Sequence, residues 1–371
     1  MRFLTKRVSM ILCSTAVAAA CWLLASPLPV DAQSAGTPAV AQNLTIEYFD
    51  RMMTELSNWG RWGKDDQKGA VNLITPATRK RALAAVKDGV SVSMARNAET
   101  EAALDNSQPI VVTMGGRGGG RRGATPPANA PANAPTPPTS STPPTPPNPN
   151  PISGASDNFF IAYHGFVHTH MDSFCHRAYK GLMYNGMPMT EVNETGCHKG
   201  AILNFKDGIV AHGVLMDIPR LKGVDYLEPG TRIMPEDLEA WVKQARLRVE
   251  PGDVVLVRTG RWARRDAKGP WPTAQLAGLY ITSGRWLKQH DVAILGSDGA
   301  SDVHPSGVDQ IGEPIHALSL VSMGMPIFDN LDLEAVSKEA ARRNRWDFLL
   351  TAAPAAVPKA TGSVLNPIAT F

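Results

Sequence analysis

The sequence predicts a mixed α/β fold with an irregular sheet. Three observations predict it. Short apolar runs interleave with amphipathic stretches, without a strict βαβ period. One run, Asp253 to Arg258, reads DVVLVR between PG and TG, the pattern of a strand buried on both faces. The composition suits a packed core, with 371 residues of which 43% are apolar and 19% charged. That length allows one large domain or two ordinary ones, and no solenoid-period repeat is visible.

The elements follow in order. Residues 1–32 have the three-part layout of a secretory signal: basic MRFLTKR, apolar VSMILCSTAVAAACWLLA, then SPLPVDA with a cleavage site at Val30-Asp31-Ala32. An exported chain, periplasmic or secreted, is therefore expected. An uncleaved anchor is the alternative, because the apolar run nearly reaches spanning length. Removing Arg2, Lys6, Arg7 and Asp31 takes three cations and one anion away, so the formal charge falls from +3 to about +1. Such a chain has no strong pull toward nucleic acid or, after cleavage, toward a membrane. Cys13 and Cys21 leave with the signal. Cys175 and Cys197 remain, to pair in an oxidising compartment or to leave Cys175 as a free thiol.

Residues 33–44 read as a flexible leader. A helix starts near Thr45, with Ile46, Phe49, Met52 and Leu56 on one face. Thr75-Pro76 opens a second helix, running to about Lys87. Val90–Ala95 and Pro109–Met114 read as strands. Residues 115–156, rich in Gly-Arg and then Pro, cannot bury enough apolar surface to fold and read as a disordered insertion. Strands are expected at Phe159–Val167, Ala201–Asn204, Ile209–Leu215, Val292–Gly296 and Ile327-Phe328. Helices are expected at Pro235–Ala245, Leu276–His290, Ile315–Met323 and Leu333–Arg343, all within a single domain over 45–371.

The stretch His164 to His176, HGFVHTHMDSFCH, carries the chemistry. It holds four of the nine histidines, with an aspartate interleaved. His170-X-Asp172-X3-His176 brings together two imidazoles and a carboxylate, groups that suit zinc, manganese or iron. On an extended segment alternate side chains share a face, which adds His168 to His170 and Asp172. A divalent ion there would make its water acidic and polarise a carbonyl. Isolated histidines are usually structural, but this density favours a metal. A structural zinc site recruits several cysteines, and at most one lies nearby, so the metal is read as catalytic or exchangeable.

HTHMDSFCH resembles the GTHxDxPxH signature of the cyclase family of metal-dependent hydrolases, which includes bacterial kynurenine formamidases and isatin hydrolases. NWGRWGKDDQKGAVNLI, GVLMDIPR, GDVVLVRTGRW, ILGSDGASD and IHALSLVSMGMPIFDNLDLEAV follow in the family's order, so the likeness covers about residues 45–350 outside the insertion. It implies a swivelling β/β/α domain and a homo-oligomer. It implies a divalent metal, zinc or manganese, held by His170 and Asp172. His176 becomes a ligand or the general base, and His316 and Asp329 match a distal histidine and acid.

The chain departs from the family in three ways. The first ligand's position, four residues before His170, holds Phe166, so His168 or His164 must substitute. The distal acid is Asp329 instead of Glu. Its spacing from His316 is one residue longer. Trp62, Tyr163 and Tyr184 are candidates for an aromatic wall around a planar substrate, although aromatics are more often core. Asp298 and Asp302 either line the site or cap a turn. Arg258, Thr259 and Asp217 read as packing and salt-bridge elements, and His198, His212, His290 and His304 mostly as structural. The function expected is hydrolysis of an amide in a small molecule, an aryl formamide or cyclic amide. The alternatives are an ester or lactone hydrolase or a polyketide-type cyclase using the same site, and a non-catalytic metal- or ligand-binding protein.

Overall fold

The computed structural model describes residues 44–114 and 155–371. The expected signal segment, and nearly all of the leader and the insertion, lie outside the described residues. Among the described residues no helix is long and apolar enough to cross a membrane.

The strands are β1 Ser91–Ser93, β2 Val111–Met114, β3 Asp157–Phe160, β4 His170–Asp172, β5 Val192–Asn193, β6 Gly196–Cys197, β7 Ile209–Asp217, β8 Arg232–Ile233, β9 Val254–Arg258, β10 Gly278–Leu279, β11 Ile294–Ser297, β12 Ile327–Asp329, β13 Asp347–Ala352, β14 Gly362–Val364 and β15 Ile368–Thr370. Nine of them form one mixed sheet in the order β1-β15-β13-β7-β9-β11-β12-β4-β14. Its centre, β7 to β12, is parallel. Antiparallel strands flank it on both sides. Parallel strands need cover on both faces, and every residue of β9 is buried, as VVLVR predicts. The other pairs, β2–β3, β5–β6 and β8–β10, are short ribbons outside this sheet.

The helices are α1 Ile46–Glu55, α2 Pro76–Ala84, α3 Ile218–Leu221, α4 Pro235–Ala245, α5 Arg261–Lys268, α6 Ser283–Gln289, α7 Pro314–His316 and α8 Glu334–Arg343. Their starts obey local chemistry. Thr45 and Thr75 each accept a backbone N–H through the side chain at the heads of α1 and α2. Asp237 accepts from the Met234 N–H at 2.9 Å at the head of α4. Helix α4 covers the sheet by burying Trp241, whose indole N–H donates to the Leu215 carbonyl at 2.8 Å.

Several expected elements differ. Ala201–Asn204 is not a strand but the start of a 3-10 turn, Ile202–Phe205, because a short apolar run fits either conformation. Within Leu276–His290 only α6 is helical. Gly278 instead enters β10, where an added Cβ would lie 2.3 Å from the Asp302 carbonyl oxygen. The strand expected over Phe159–Val167 stops at Phe160 and gives way to bends before β4. The helix expected over Ile315–Met323 is α7 continued by a π-helical turn, Ala317–Met323. Helix α5 and strands β13 to β15 had no counterpart in the sequence reading.

Candidate metal centre

The site lies where β4 meets β12. Their antiparallel register sets His170 opposite Asp329 and Asp172 opposite Ile327. Residues two apart on a strand share a face, so His170 and Asp172 project together beside Asp329. The 3-10 turn Phe174–His176 brings His176 back onto Asp172, and α7 delivers His316 at its last residue.

Asp172 is the hub. It is 1% exposed, and four imidazoles approach it. His164 Nδ1 lies 3.0 Å and His170 Nε2 3.3 Å from Oδ1, while His176 Nε2 lies 3.5 Å and His316 Nε2 3.7 Å from Oδ2. His316 Nε2 is also 3.0 Å from Asp329 Oδ2. None of the four rings is aligned to satisfy Asp172, and both carboxylate oxygens are buried without a hydrogen-bond partner.

The far nitrogens of three rings are committed elsewhere. His170 Nδ1 faces the His168 carbonyl at 2.8 Å, His316 Nδ1 faces Asp302 Oδ2 at 2.7 Å, and His164 Nε2 faces Thr361 Oγ1 at 2.8 Å. A carbonyl and a carboxylate can only accept, so His170 and His316 carry their proton at Nδ1 and turn Nε2 toward the carboxylates. In the neutral ring Nε2 presents a lone pair. Lone pairs facing a buried, unsatisfied carboxylate repel it unless a positive charge lies between them. His164, His170 and Asp172 form one such donor set, and Asp172, His316 and Asp329 a second. Within each set the ligand atoms lie within 4.8 Å of one another. The residues present thus fit a divalent cation, with imidazole and carboxylate donors and outer nitrogens anchored by protein acceptors.

Burial opposes ionisation of Asp172, yet His170 and His176 hold it well below the usual carboxylate range. Burial also disfavours charge on His316, but Asp329 and Asp302 outweigh it and raise the ring well above its usual value. Where no cation lies between them, a second proton on His316 supplies the positive charge that these carboxylates favour. His176 moves the other way, down to about 3, chiefly through burial. Its ring stacks on that of His164 at 4.0 Å, and this neighbour adds to burial in disfavouring charge on His176.

Other expected site residues lie as follows. Tyr163 borders the centre, with its ring 5.9 Å from His170 and its hydroxyl donating to the Gly362 carbonyl at 2.8 Å. Tyr184 does not line a cleft. It is fully buried in the core, with its hydroxyl on Asp66 Oδ2 at 2.9 Å. Trp62 packs against the core edge under Arg61 and makes no contact with the cluster.

His168 does not join the cluster. The chain bends before β4, so strand alternation does not extend back to it. Asn330 Nδ2 donates to the Gly165 carbonyl at 2.7 Å and lies 3.3 Å from that of His168, and the Thr169 hydroxyl donates to the Asn330 carbonyl at 2.7 Å. The His168 ring is left facing the Gln108 carbonyl at 3.4 Å. Phe166 points elsewhere, with its ring edge-on to His304. His164 is the histidine that lies beside Asp172 and His170 instead. The bend between His164 and His170 takes up two more residues than the family's four-residue spacing.

The remaining alternatives separate cleanly. Asp298 caps a turn, accepting from the backbone N–H groups of Thr259 and Gly260 and from the Thr259 hydroxyl. Asp302 lines the site through His316. Asp217 pairs with Arg258 at 2.9 Å. Cys175, next to His176, is disulfide-bonded to Cys197.

A model of the Cyclase family matches residues 82–302, more than half of the chain. The chain belongs to the Cyclase family. A solved structure described as a novel cyclase shares 28% identity, covering 85% of this chain and 98% of that one, with a TM-score of 0.70. Its likeness and the mixed sheet agree with the swivelling β/β/α domain. Isatin hydrolase A from Ralstonia solanacearum shares 17% identity over 76% of this chain and 91% of its own, with a TM-score of 0.46. An isatin hydrolase bound to thioisatinate shares 13% identity over 80% of this chain and 97% of its own, with a TM-score of 0.47. No curated protein matches the chain.

Proposed function

We propose that this cyclase-family protein is an exported, metal-dependent hydrolase of an amide carbonyl, with an aryl formamide or cyclic amide as substrate. The observation that carries this reading is Asp172, a buried carboxylate without a hydrogen bond inside a ring of imidazole nitrogens. His164, His170 and Asp172 would hold one divalent ion, zinc or manganese, and His316 and Asp329 with Asp172 offer a second position. A bound ion supplies a Lewis acid for the carbonyl oxygen and acidifies water at neutral pH.

The chain's own residues do the rest. His176 is neutral, and Asp172, 3.5 Å from its Nε2, favours the proton that burial disfavours, so the ring can accept a proton from the attacking water as the water oxygen bonds to the carbonyl carbon. The same ring then returns that proton to the nitrogen as the C–N bond breaks, giving a carboxylic acid and an amine. Tyr163 forms the wall beside His170, where a planar acyl group would rest.

Export is supported by residues 1–32 and by the Cys175–Cys197 bond, which persists in oxidising compartments. A homo-oligomer is supported by the ribbon β2–β3, whose Val112, Met114, Phe159 and Phe160 are exposed. An amide-against-ester substrate panel separates this reading from an ester or lactone hydrolase. Asp172→Ala should abolish turnover and weaken metal retention together. Unchanged turnover in that variant would remove the assignment.

A further inference from the structure

We propose that Asp302 is a positioning residue for the metal centre, holding His316 so that its Nε2 faces Asp172 and Asp329. This rests on the metal reading above and concerns a residue outside both donor sets.

Asp302 is 1% exposed and sits on the loop after β11, at the start of the segment leading to α7. Its two oxygens are fully engaged on one side of His316. Oδ1 accepts from the Ile315 N–H at 2.6 Å, and Oδ2 accepts from the His316 N–H at 3.1 Å and from Nδ1 at 2.7 Å. The carboxylate therefore grips the backbone and the ring of the same residue. The backbone bonds fix where the carboxylate lies, and the ring bond fixes both the rotation of the imidazole and the nitrogen that carries the proton.

The neighbouring Ser301 lies in the left-handed region at φ 57°, with its hydroxyl 3.2 Å from Asp329 Oδ1. Consecutive loop residues thus bear on both distal donors, Ser301 on Asp329 and Asp302 on His316. A capping aspartate would need only the backbone N–H groups. The added bond to Nδ1 marks a role in presenting the ring. A histidine that donates its outer N–H to a carboxylate is a better metal ligand, and loss of such a partner lowers metal affinity about 10–100-fold.

Asp302→Asn tests this. The amide can turn only one oxygen toward this cluster. Where its NH2 faces Nδ1, the imidazole must accept there and carry its proton at Nε2, which blocks coordination. The full chain and the variant are loaded with Zn2+, and affinity is read by competition with a chromophoric chelator. Imidazole 15N–1H correlation spectra report the tautomer. Circular dichroism confirms folding.

The expected result is a wild-type His316 protonated at Nδ1, and a folded variant with about 10–100-fold weaker Zn2+ binding and an Nδ1–H signal that is shifted or lost. A folded variant with unchanged affinity overturns the proposal and leaves the metal reading intact. A wild-type His316 with no proton at Nδ1 overturns it too, and this decides the matter if the variant fails to fold. A wild-type chain that binds neither Zn2+ nor Mn2+ overturns the metal reading itself, and this proposal with it.

Discussion

His212 should make the fold's stability depend on pH in a defined window. It lies on β7, with Nδ1 3.1 Å from Asp253 Oδ2 and Nε2 3.1 Å from Asp347 Oδ2. Burial alone would lower its pKa, but the two carboxylates outweigh burial and raise it to about 9. The unfolded value is about 6.5. The folded state therefore holds this proton more tightly, and the stabilisation is fully present below about pH 6.5 and lost as pH rises through about 9. A difference of about 2.5 pH units corresponds to about 3 kcal/mol at 1.36 kcal/mol per unit. The side chain is 13% exposed, so solvent screening leaves most of this in place. His212→Gln removes the titration. Urea unfolding of both proteins at pH 6 and pH 9.5, in one metal state, cancels the other titrating groups. The stability gap should narrow by about 3 kcal/mol on going to the higher pH. A gap constant to within about 1 kcal/mol would refute the reasoning.

Two further perturbations test the frame around the site. The Cys175–Cys197 bond closes a loop of sequence separation 22, which stabilises the fold by about 3 kcal/mol in the chain-entropy account. Cys197→Ser should lower the urea-derived stability by that order, and a loss under about 1 kcal/mol would count against it. Gly324 has φ 58°, and a Cβ there would lie 2.3 Å from Tyr184 Cε2, on a ring pinned by Asp66. Gly324→Ala should therefore cost about 3 kcal/mol, visible as a fall of several degrees in Tm, and an unchanged Tm would contradict the packing described.

Much of the proximal half of the site was legible because it is contiguous. His170, Asp172 and His176 lie in one short run, and strand alternation correctly put the first two on one face. The same rule misplaced His168, because it assumes the strand continues backwards. Nothing local announces that Asn330, some 160 residues away, ties down the bend at Gly165 and His168. That tether is why His164, not His168, reaches Asp172.

The distal half depended on resemblance. His316 and Asp329 have no local pattern, and only the β4–β12 register brings Asp329 opposite His170. Asp302 was balanced between lining and capping because both uses engage the same backbone N–H groups. In the fold, VVLVR identified itself as a buried central strand. The antiparallel strands β13 to β15 went unread, since short edge segments gain their identity from pairing instead of sequence period. Tyr184 was open to two readings from sequence, and burial placed it in the core.

The most direct test of the metal centre is elemental analysis of the full chain, expressed with export and without a histidine tag. One or two equivalents of zinc or manganese per chain are predicted, one for each donor set filled. A chain that holds no metal, even after incubation with zinc, manganese and iron, would contradict the account.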